Sequence, residues 1–521
     1  MKNIFVICLL LFYVIFGYTQ ELELSKKQMY ADFDELVKII KKCNPQLVVR
    51  KKVTGYQQID TINALRKNIE SITTYNDFRG LLNQVLLHVL DPHSVESYTY
   101  YESDNLNNID TAEMTKRRAY YESIDYKKRV TVSANACKLM SFPISAVYLD
   151  EDDSYWLLGS VKLINRDNSD SVQFNCLKII SYNNLPFERF VENYHSRDLR
   201  YHFQRKKYYF GNDLGLNIPG SGHLKGTQDG KVIEFDIENY PNQFISSIID
   251  NKEIDSALKM VPNKQRPYLL NKKKVEFFES DSILYIYIDR MVVDTVFCNR
   301  IKEMAKNKTI NCVVIDVRDN SGGNDYCWQN VLKAIIKEPL TYNLKLASNK
   351  NRMMKDKFKG YHYPNKCEKI EWLGNKKFMI MDYTYTIEPD SNSINYEGKI
   401  YILSNENTFS AAHSLVDVAN QLDQLISVGT NTGRIVGLGI NPQLFQLKNS
   451  KFTFRLACTI DIYNCKQAID VYKDFPEVLV APSAKEELYY PRSKYDCKSE
   501  EYLRNFDSMF RKVLELNGKS Y

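Results

Sequence analysis

The chain lacks the sequence patterns of several large classes of protein. Its 11 cysteines and seven histidines form no CxxC motif and no cysteine–histidine pair at metal-ligand spacing, so we expect no zinc site, and no organic cofactor is indicated either. The net charge is only +6 over 521 residues, which does not favour a nucleic-acid partner. The sequence also has no internal repeats and no low-complexity tract. These absences leave a globular protein whose chemistry depends on its own side chains.

Long apolar runs are equally scarce. The N-terminal run is Ile4–Phe16, which follows Lys2 and ends in the small and polar residues Gly17–Gln20. A run of this length at the extreme N-terminus is typical of a signal peptide, here residues 1–20, with an uncleaved anchor as the alternative. No later stretch is apolar for long enough to span a bilayer. We therefore expect an exported protein, periplasmic or secreted, with no transmembrane segment after signal cleavage.

The cysteines after this run are scattered along the chain. An exported protein could pair some of them, but their connectivity cannot be derived from the spacing. Cys312 lies inside an apolar stretch and is predicted to be a buried thiol.

Length and periodicity predict two or three domains. Apolar residues at helical spacing over Leu22–Leu90 predict an N-terminal helical domain, residues 21–115. Short alternating stretches predict a β-rich module over residues 128–230. The charged segment Thr111–Tyr126 between them is interpreted as a linker.

Strands and helices alternate from Val275 onwards, which predicts an α/β core over residues 270–490. A polar insertion is expected at Leu340–Leu373, and Lys451–Tyr463 is predicted to be the last long strand. Residues 491–521 are assigned as a C-terminal helical tail. In such a core the loops at the strand ends carry the functional site.

The most informative stretch is Lys399–Ala412, KIYILSNENTFSAA. Its alternating first part predicts a strand, its middle is turn-forming, and the apolar residues from Ala411 onwards predict a helix. Ser410 is thus placed at a strand-to-helix junction, where backbone N–H groups are unpaired and can stabilise an anion. This position suits a nucleophile, and the alternative is an ordinary helix N-cap.

A second loop, Asp316–Asn324, also follows a buried-type strand and precedes a predicted helix. Its adjacent glycines, Gly322 and Gly323, allow backbone amides to approach a ligand closely. The functional interpretation is one amide of an oxyanion hole, with the other donated by Ala411. The alternatives are a turn or a phosphate loop, although the stretch has neither the Lys-Ser/Thr of a Walker A motif nor GxGxxG spacing.

A nucleophilic serine needs a base, and only seven histidines are available. His413 is three residues beyond Ser410 on the same predicted helix, which makes it a neighbour of the serine more than its base. His93 follows a predicted helix that stops at Asp91–Pro92. Taken alone, its position is that of a surface or capping residue. Ser410 does not sit in a G-x-S-x-G motif, so an α/β-hydrolase is not indicated.

Taken together, these stretches resemble the C-terminal processing peptidase and tricorn-core superfamily of serine peptidases, whose relatives include the interphotoreceptor retinoid-binding proteins. The closest motif likenesses are DVRDNSGG to the family's DLRxNxGG and NENTFSAAH to its N-x-x-T-x-S-A-A-E. The order and spacing of six stretches carry the resemblance over most of the chain: Asp91–Ser94, Ile179–Phe190, Asp316–Gly323, Asn405–His413, Gly429–Gly433 and Asp470–Glu477.

The resemblance implies a ClpP/crotonase-like α/β peptidase core, preceded by the helical domain and by a PDZ-like module at residues 128–230. It also implies that Ser410 is the nucleophile. The oxyanion hole would be formed by the amides of Ala411 and of Gly322 or Gly323.

The base can be supplied in two ways in this superfamily. Processing peptidases use a lysine about 25 residues after the serine, but that segment of this chain has Arg434, which stays protonated and cannot serve as a base. The tricorn-like branch uses a histidine and an acid, which here match His93 and Asp470, the latter acting directly or through Ser94. Arg434 is interpreted either as a clamp for a substrate carboxylate or as a solvated charge.

The sequence departs from the family pattern at several positions: His413 replaces a glutamate, Pro92 replaces a small residue, Asp470 replaces a glutamate and Glu477 replaces an aspartate. The expected function is an exported serine endopeptidase acting on peptides or unfolded polypeptides. The alternatives are a catalytically inactive relative that binds a peptide or apolar ligand in the same cleft, and a scaffold that uses only the PDZ-like module. The expected partner is the substrate, and a homo-oligomer is left open.

Overall fold

The computed structural model of the protein describes residues 24–123, 141–244 and 273–518, apart from gaps inside these ranges, of which 359–365, 433–441 and 487–496 are the longest. The signal peptide assigned to residues 1–20 lies outside the described residues. The chain divides into two compact units. The first takes in the described residues of 1–139, 345–382 and 439–471, and the second those of 140–344, 383–438 and 472–521.

The N-terminal region is helical, as its periodicity predicts. Its α-helices are α1 (Lys26–Cys43), α2 (Gln46–Thr54), α3 (Gln58–Ala64), α4 (Tyr75–Leu87) and α5 (Thr111–Ser123), with a 3-10 helix at Leu65–Ser71. Ser25 begins α1 with a capping box, in which its hydroxyl accepts from the Gln28 amide and the Gln28 side chain accepts from the Ser25 amide. Thr74 caps α4 with a single hydrogen bond, in which its hydroxyl accepts from the amide of Asp77.

The prediction of a linker at Thr111–Tyr126 is wrong, because most of this segment forms helix α5. Asp110 accepts from the Glu113 amide at 3.0 Å and so caps the helix. Arg117 then pairs with Glu113 at 2.8 Å, one turn earlier, and donates to the Ser450 carbonyl at 2.9 Å. The charges that suggested a solvated linker therefore serve as a helix pair and a docking contact.

The region after α5 is rich in β-structure. Its elements are β1 (Ser141–Ile144), β2 (Val147–Leu149), β3 (Tyr155–Ile164), β4 (Ser171–Tyr182), β5 (Leu185–Pro186), α6 (Phe187–Asn193), β6 (Leu199–His202), β7 (Lys207–Phe210), β8 (Leu216–Pro219), β9 (His223–Gln228), β10 (Lys231–Asp236) and β11 (Asn242–Phe244). An antiparallel sheet of order β10-β9-β4-β3-β11 is its main feature, with β2 added to β3 and β5 to β4.

A tight turn at Asn183–Asn184 joins β4 to β5. Asn183 and Asn184 have φ values of 50° and 61°, the left-handed pair that a tight hairpin turn requires. Phe187 and Val191 of α6 then pack into the core of this sheet with Leu177.

The remaining chain alternates strands and helices. Its elements are β12 (Lys274–Phe278), β13 (Ile283–Tyr287), α7 (Thr295–Ala305), β14 (Cys312–Asp316), α8 (Tyr326–Ile335), β15 (Leu340–Asn349), α9 (Arg352–Lys357), β16 (Lys366–Lys369), β17 (Lys377–Ile387), β18 (Ile400–Ser404), α10 (Ala411–Ala419), β19 (Leu425–Gly429), β20 (Gln443–Gln446), β21 (Thr453–Leu456), β22 (Ile460–Asp461), β23 (Val478–Leu479), α11 (Glu500–Phe506) and α12 (Ser508–Leu516).

The central sheet of this part has the order β12-β13-β14-β18-β19-β23 and is parallel from β13 onwards. Alternate residues of a strand point to opposite faces, so Leu284 packs with α7, α8 and α10 while Tyr285 packs with α12. The result is a three-layer α/β fold, and the coarse fold class expected from the sequence is confirmed. Cys312 is buried in β14, where burial raises the pKa of its thiol to about 12.

One expectation about this part is wrong. The long strand expected at Lys451–Tyr463 is instead the two short strands β21 and β22. Strand pairing and burial, which depend on distant residues, override the local pattern there. The polar insertion expected at Leu340–Leu373 contains the ten-residue strand β15, and residues 345–382 interrupt the chain of the second unit and belong to the first.

The parallel pairing of β14 with β18 positions the candidate site. Asp316, the last residue of β14, is paired with Leu403 near the end of β18, so the loops that follow the two strands leave the same edge of the sheet. Within the described ranges, no helix combines the length and the apolar character needed to cross a membrane.

Candidate active site

Ser410 lies where the loop after β18 enters helix α10. Its backbone has φ 54° and ψ −123°, a conformation that residues other than glycine rarely adopt. By position it is the N-cap residue, yet its hydroxyl makes no capping hydrogen bond. The ordinary N-cap interpretation therefore does not account for this serine, and a strained backbone of this kind is common at functional sites.

The paired glycines are packed against the Ser410 turn. A Cβ on Gly322 would lie 2.5 Å from the Ser410 Cβ and 3.0 Å from the Ala411 nitrogen, and a Cβ on Gly323 would lie 2.3 Å from the Met291 carbonyl oxygen. Both glycines also have positive φ, 92° and 145°. Only glycine allows so close an approach, so the structure brings Gly322, Ser410 and Ala411 together.

The amides of this cluster differ in their partners. The Gly322 amide donates to Asn320 Oδ1 at 2.8 Å, so it is already used. The amides of Gly323 and Ala411, in contrast, have no hydrogen-bond partner among the residues that the structure describes. Of the two glycines left open by the sequence, Gly323 is therefore the one with an amide available for an oxyanion.

A group of polar residues, missed as functional by the sequence reasoning, holds the two loops together. Asn405 Oδ1 accepts from the Asp319 amide and Asn405 Nδ2 donates to Asp319 Oδ1, both at 2.9 Å. The Thr408 hydroxyl donates to the Val317 carbonyl at 3.0 Å, and the Phe409 amide donates to the Asn320 carbonyl at 2.9 Å. The only available signal was a run of amide and hydroxyl side chains after each strand, which does not reveal the partner of each.

His413 is engaged by groups other than Ser410. It is buried, its Nδ1 hydrogen-bonds the Thr432 hydroxyl, and its Nε2 lies 3.1 Å from Asp417 Oδ2 on the next turn of α10. Because each ring nitrogen already has such a partner, His413 suits a structural role in α10 better than that of a base. Arg434, its companion among the auxiliary candidates, lies outside the described residues.

His93 and Ser94 belong to the first unit, in the turn after α4. The His93 amide donates to Asp91 Oδ1 at 2.8 Å, and its ring Nδ1 lies 3.8 Å from the same oxygen. Asp91 is itself buried and accepts from Gln46 Nε2 at 2.9 Å. The Ser94 hydroxyl accepts from the Ala457 amide at 3.2 Å. The turn that carries the imidazole is thus fixed at several points.

Asp470 also lies in the first unit, in a 3-10 helix at Ala468–Tyr472. Its Oδ2 accepts from the amides of Lys466 and Gln467 at 2.8 and 3.1 Å, so it binds the two residues that precede this short helix. Ser410, Ala411 and the glycines belong to the second unit. The structure therefore brings the proposed nucleophile, Ser410, together with the oxyanion-hole candidates in the second unit. The candidate base and acid, His93 and Asp470, belong to the first unit.

Comparison with known proteins identifies the chemistry of this core. Residues 282–467 match the model of peptidase family S41. This matched segment belongs to peptidase family S41. It is therefore a serine-type peptidase, as its motifs predicted, and the matched range contains both the glycine loop and Ser410.

Solved structures agree with this assignment at the level of the fold. Mature CPAF is similar over 95% of this chain and 98% of its own, with 12% identity and a TM-score of 0.52. CPAF complexed with lactacystin is similar over 95% of this chain and 99% of its own, with 12% identity and a TM-score of 0.50. The photosystem II D1 C-terminal processing protease is more distant, with 10% identity over 88% of this chain and 94% of its own and a TM-score of 0.34. A comparison with the curated proteins finds no match.

Proposed function

We propose that this S41 peptidase is an exported serine endopeptidase that hydrolyses peptide bonds of peptides or unfolded polypeptides. The observation that carries the proposal is the junction at Ser410. A strained serine whose hydroxyl does not cap its own helix lies beside Gly322 and precedes Ala411, and the amides of Gly323 and Ala411 have no hydrogen-bond partner among the described residues. This is the arrangement that acyl transfer requires, because charge develops on the substrate oxygen as the serine attacks.

In the proposed reaction Ser410 Oγ attacks the carbonyl carbon of the peptide bond while His93 takes the hydroxyl proton. The amides of Gly323 and Ala411 donate hydrogen bonds to the resulting oxyanion. His93 then returns the proton to the leaving amine, which breaks the C–N bond and leaves an acyl-enzyme. Water, deprotonated by His93, then attacks the ester carbonyl carbon. The bond between that carbon and Ser410 Oγ breaks, His93 returns the proton to Ser410 Oγ, and the new carboxyl group is released.

The supporting groups are assigned on the same basis. Asp470 would orient the imidazole of His93, directly or through Ser94. The buried Asp91 fixes the turn that carries His93, because it accepts a hydrogen bond from the His93 backbone amide. Arg434 is proposed to bind a carboxylate of the substrate.

We further propose that residues 128–230 form a PDZ-like module that binds the substrate chain. The antiparallel sheet with helix α6 packed on it supports this proposal. The helical domain at 21–115, the peptidase core at 270–490 and the helical tail at 491–521 complete the proposed organisation.

The test is labelling of the purified full chain by a serine-directed fluorophosphonate. Ser410→Ala should abolish labelling, and the matched variant Ser414→Ala, one turn along the same helix, should retain it. His93→Ala should slow labelling by about 10³-fold or more, the scale of losing the base of a serine triad. Preincubation with lactacystin, which CPAF binds, should compete with the label.

The variants also separate the competing interpretations. Labelling that survives His93→Ala but is lost in His413→Ala would move the base to His413. A folded wild-type protein that is not labelled would favour the inactive, ligand-binding relative. His88→Ala serves as the control for His93→Ala, because His88 lies at the end of α4 and has no role in the proposed reaction.

Export is tested separately, by mass spectrometry of the N-terminus of the protein recovered from the medium or the periplasm. A first residue close to Gln20 would support the proposed signal peptide. An intact Met1 on a membrane-bound protein would support the anchor instead.

A further inference from the structure

A buried ion network underlies the glycine loop and is not used by the proposed reaction. Arg318 lies between strand β14 and Gly322, and it donates to Asp316 from Nε at 2.9 Å and from Nη2 at 2.7 Å. Its remaining Nη1 donates to Asp507 Oδ2 at 2.5 Å. All three side chains are almost completely buried. The guanidinium is thus held on one side by its own loop and on the other by the C-terminal tail.

The tail supplies a second charge to the same network. Lys498 Nζ lies 3.2 Å from Asp316 Oδ2 and 4.5 Å from the ring centroid of Tyr287. The Tyr285 hydroxyl donates to the same carboxylate oxygen at 2.7 Å. Two cations and two carboxylates therefore balance in a site that is largely buried, with the Lys498 side chain 13% exposed. Removal of any one of them leaves an uncompensated buried charge.

Asp507 has a separate task for each of its oxygens. Its Oδ2 pairs with Arg318, while its Oδ1 accepts from the Phe510 amide at 2.8 Å and caps helix α12. That helix packs Phe510 and Val513 against the sheet face that carries Tyr285. The ion pair therefore ties the loop that follows Asp316 to a helix that is anchored in the core.

We propose that the C-terminal tail is a positioning element of the active site, in which Asp507 and Lys498 set the place of the loop Asp316–Gly323 and hence of the Gly323 amide. This inference rests on the proposed function for its catalytic consequence, since the amide matters only if an oxyanion forms. Asp507 and Lys498 are positioning residues, because they act on the loop through Arg318 and Asp316. A shift of about 1 Å in such an amide can lower a rate about 10²-fold.

Asp507→Asn isolates the ion pair from the cap, because asparagine caps a helix as well as aspartate does but carries no charge. The matched control is Arg504→Gln. Arg504 also anchors the tail, through a partly buried ion pair to Asp281 at 2.5 Å, but it acts at the turn between β12 and β13 and not at the loop. Its second ion pair, to Glu500 at 2.7 Å, lies within helix α11. Lys498→Met is a second variant, which leaves the Arg318–Asp507 pair in place.

Two measurements are made on the full chain of each variant: the kinetics of fluorophosphonate labelling, and hydrogen–deuterium exchange of the peptide 318–326. For Asp507→Asn we expect the maximal labelling rate to fall at least tenfold with little change in the half-saturating concentration, together with faster exchange in that peptide. For Lys498→Met we expect a smaller change in the same direction. For Arg504→Gln we expect less than a twofold change in labelling and unchanged exchange in the peptide, whatever its effect on Tm.

The outcomes distinguish this inference from the proposed function. Equal slowing in Asp507→Asn and Arg504→Gln, in proportion to their losses of Tm, would overturn the inference, because it would mean that the tail only stabilises the fold. Unchanged exchange in both Asp507→Asn and Lys498→Met would also overturn it. If the wild-type protein is not labelled, the proposed function fails, and the exchange experiment still decides whether the tail holds the loop.

Discussion

Gly322→Ala tests the contact between the glycine loop and the Ser410 turn. The new methyl group would lie 2.5 Å from the Ser410 Cβ and 2.6 Å from the Phe409 carbonyl oxygen. Carbon atoms in contact are normally about 3.5–4.0 Å apart, so one of the two loops has to move by about 1 Å. Neither neighbour can rotate away, because a Cβ and a carbonyl oxygen are fixed by the backbone.

The expected magnitude has two parts. An alanine at φ +92° is strained by about 1–3 kcal/mol, and overpacking adds about 1–3 kcal/mol, so the free energy of unfolding should fall by about 2–6 kcal/mol. Gly374→Ala separates the two parts, because Gly374 has a similar φ of +98° but an added Cβ there meets no atom within 4 Å. In that control the free energy of unfolding should fall by only about 1–3 kcal/mol.

The assay combines urea denaturation with fluorophosphonate labelling. A displacement of about 1 Å in the Ser410 turn should slow labelling of Gly322→Ala about 10²-fold, whereas Gly374→Ala should be labelled at the wild-type rate. Equal stability losses in the two variants, with labelling of Gly322→Ala within threefold of wild type, would refute the argument that the loop is packed against the serine.

Three further predictions follow from contacts outside this loop. Asp316→Asn should lower the free energy of unfolding by about 3–5 kcal/mol at pH 7, because it breaks a buried ion pair. Burial opposes the charged carboxylate of Asp316, but Arg318, Lys498 and the Tyr285 hydroxyl outweigh burial and hold the pKa of Asp316 well below its usual value. A carboxylate whose pKa is lower in the folded than in the unfolded state stabilises the fold at pH values above its unfolded pKa of about 4, and this stabilisation is lost as the pH falls below that value. In urea denaturation, the difference in free energy of unfolding between Asp316→Asn and the wild type should therefore be constant between about pH 7 and 5 and shrink below about pH 4. His413→Asn should lower Tm but keep labelling of Ser410 within tenfold of wild type, and complete loss of labelling in a folded variant would contradict the structural role. Asp294→Ala should lower the free energy of unfolding by about 1 kcal/mol, since Asp294 caps α7 through the Phe297 amide at 2.9 Å, and an unchanged urea midpoint would contradict that cap.

Local structure was largely predictable because it depends on neighbours in sequence. The strand-to-helix junction at Ser410, the glycine pair in its loop and the Asn183–Asn184 turn all follow from residue types within a few positions. The same reasoning failed at Thr111–Ser123 and Lys451–Tyr463. There a docking contact or strand pairing with distant residues outweighs the local pattern.

The sequence by itself determined many of the elements, the order of the motifs and the family resemblance, because periodicity, turn residues and short motifs are local properties. Only the tertiary structure decided that Ser410 is strained and does not cap its helix, and that the Gly322 amide is used by Asn320 while the Gly323 amide has no partner among the described residues. It alone paired Arg318 with Asp507, 189 residues away. The physical reason is that a buried polar group must find a partner where water is excluded, and that partner is chosen by the packing of the whole fold and not by proximity along the chain.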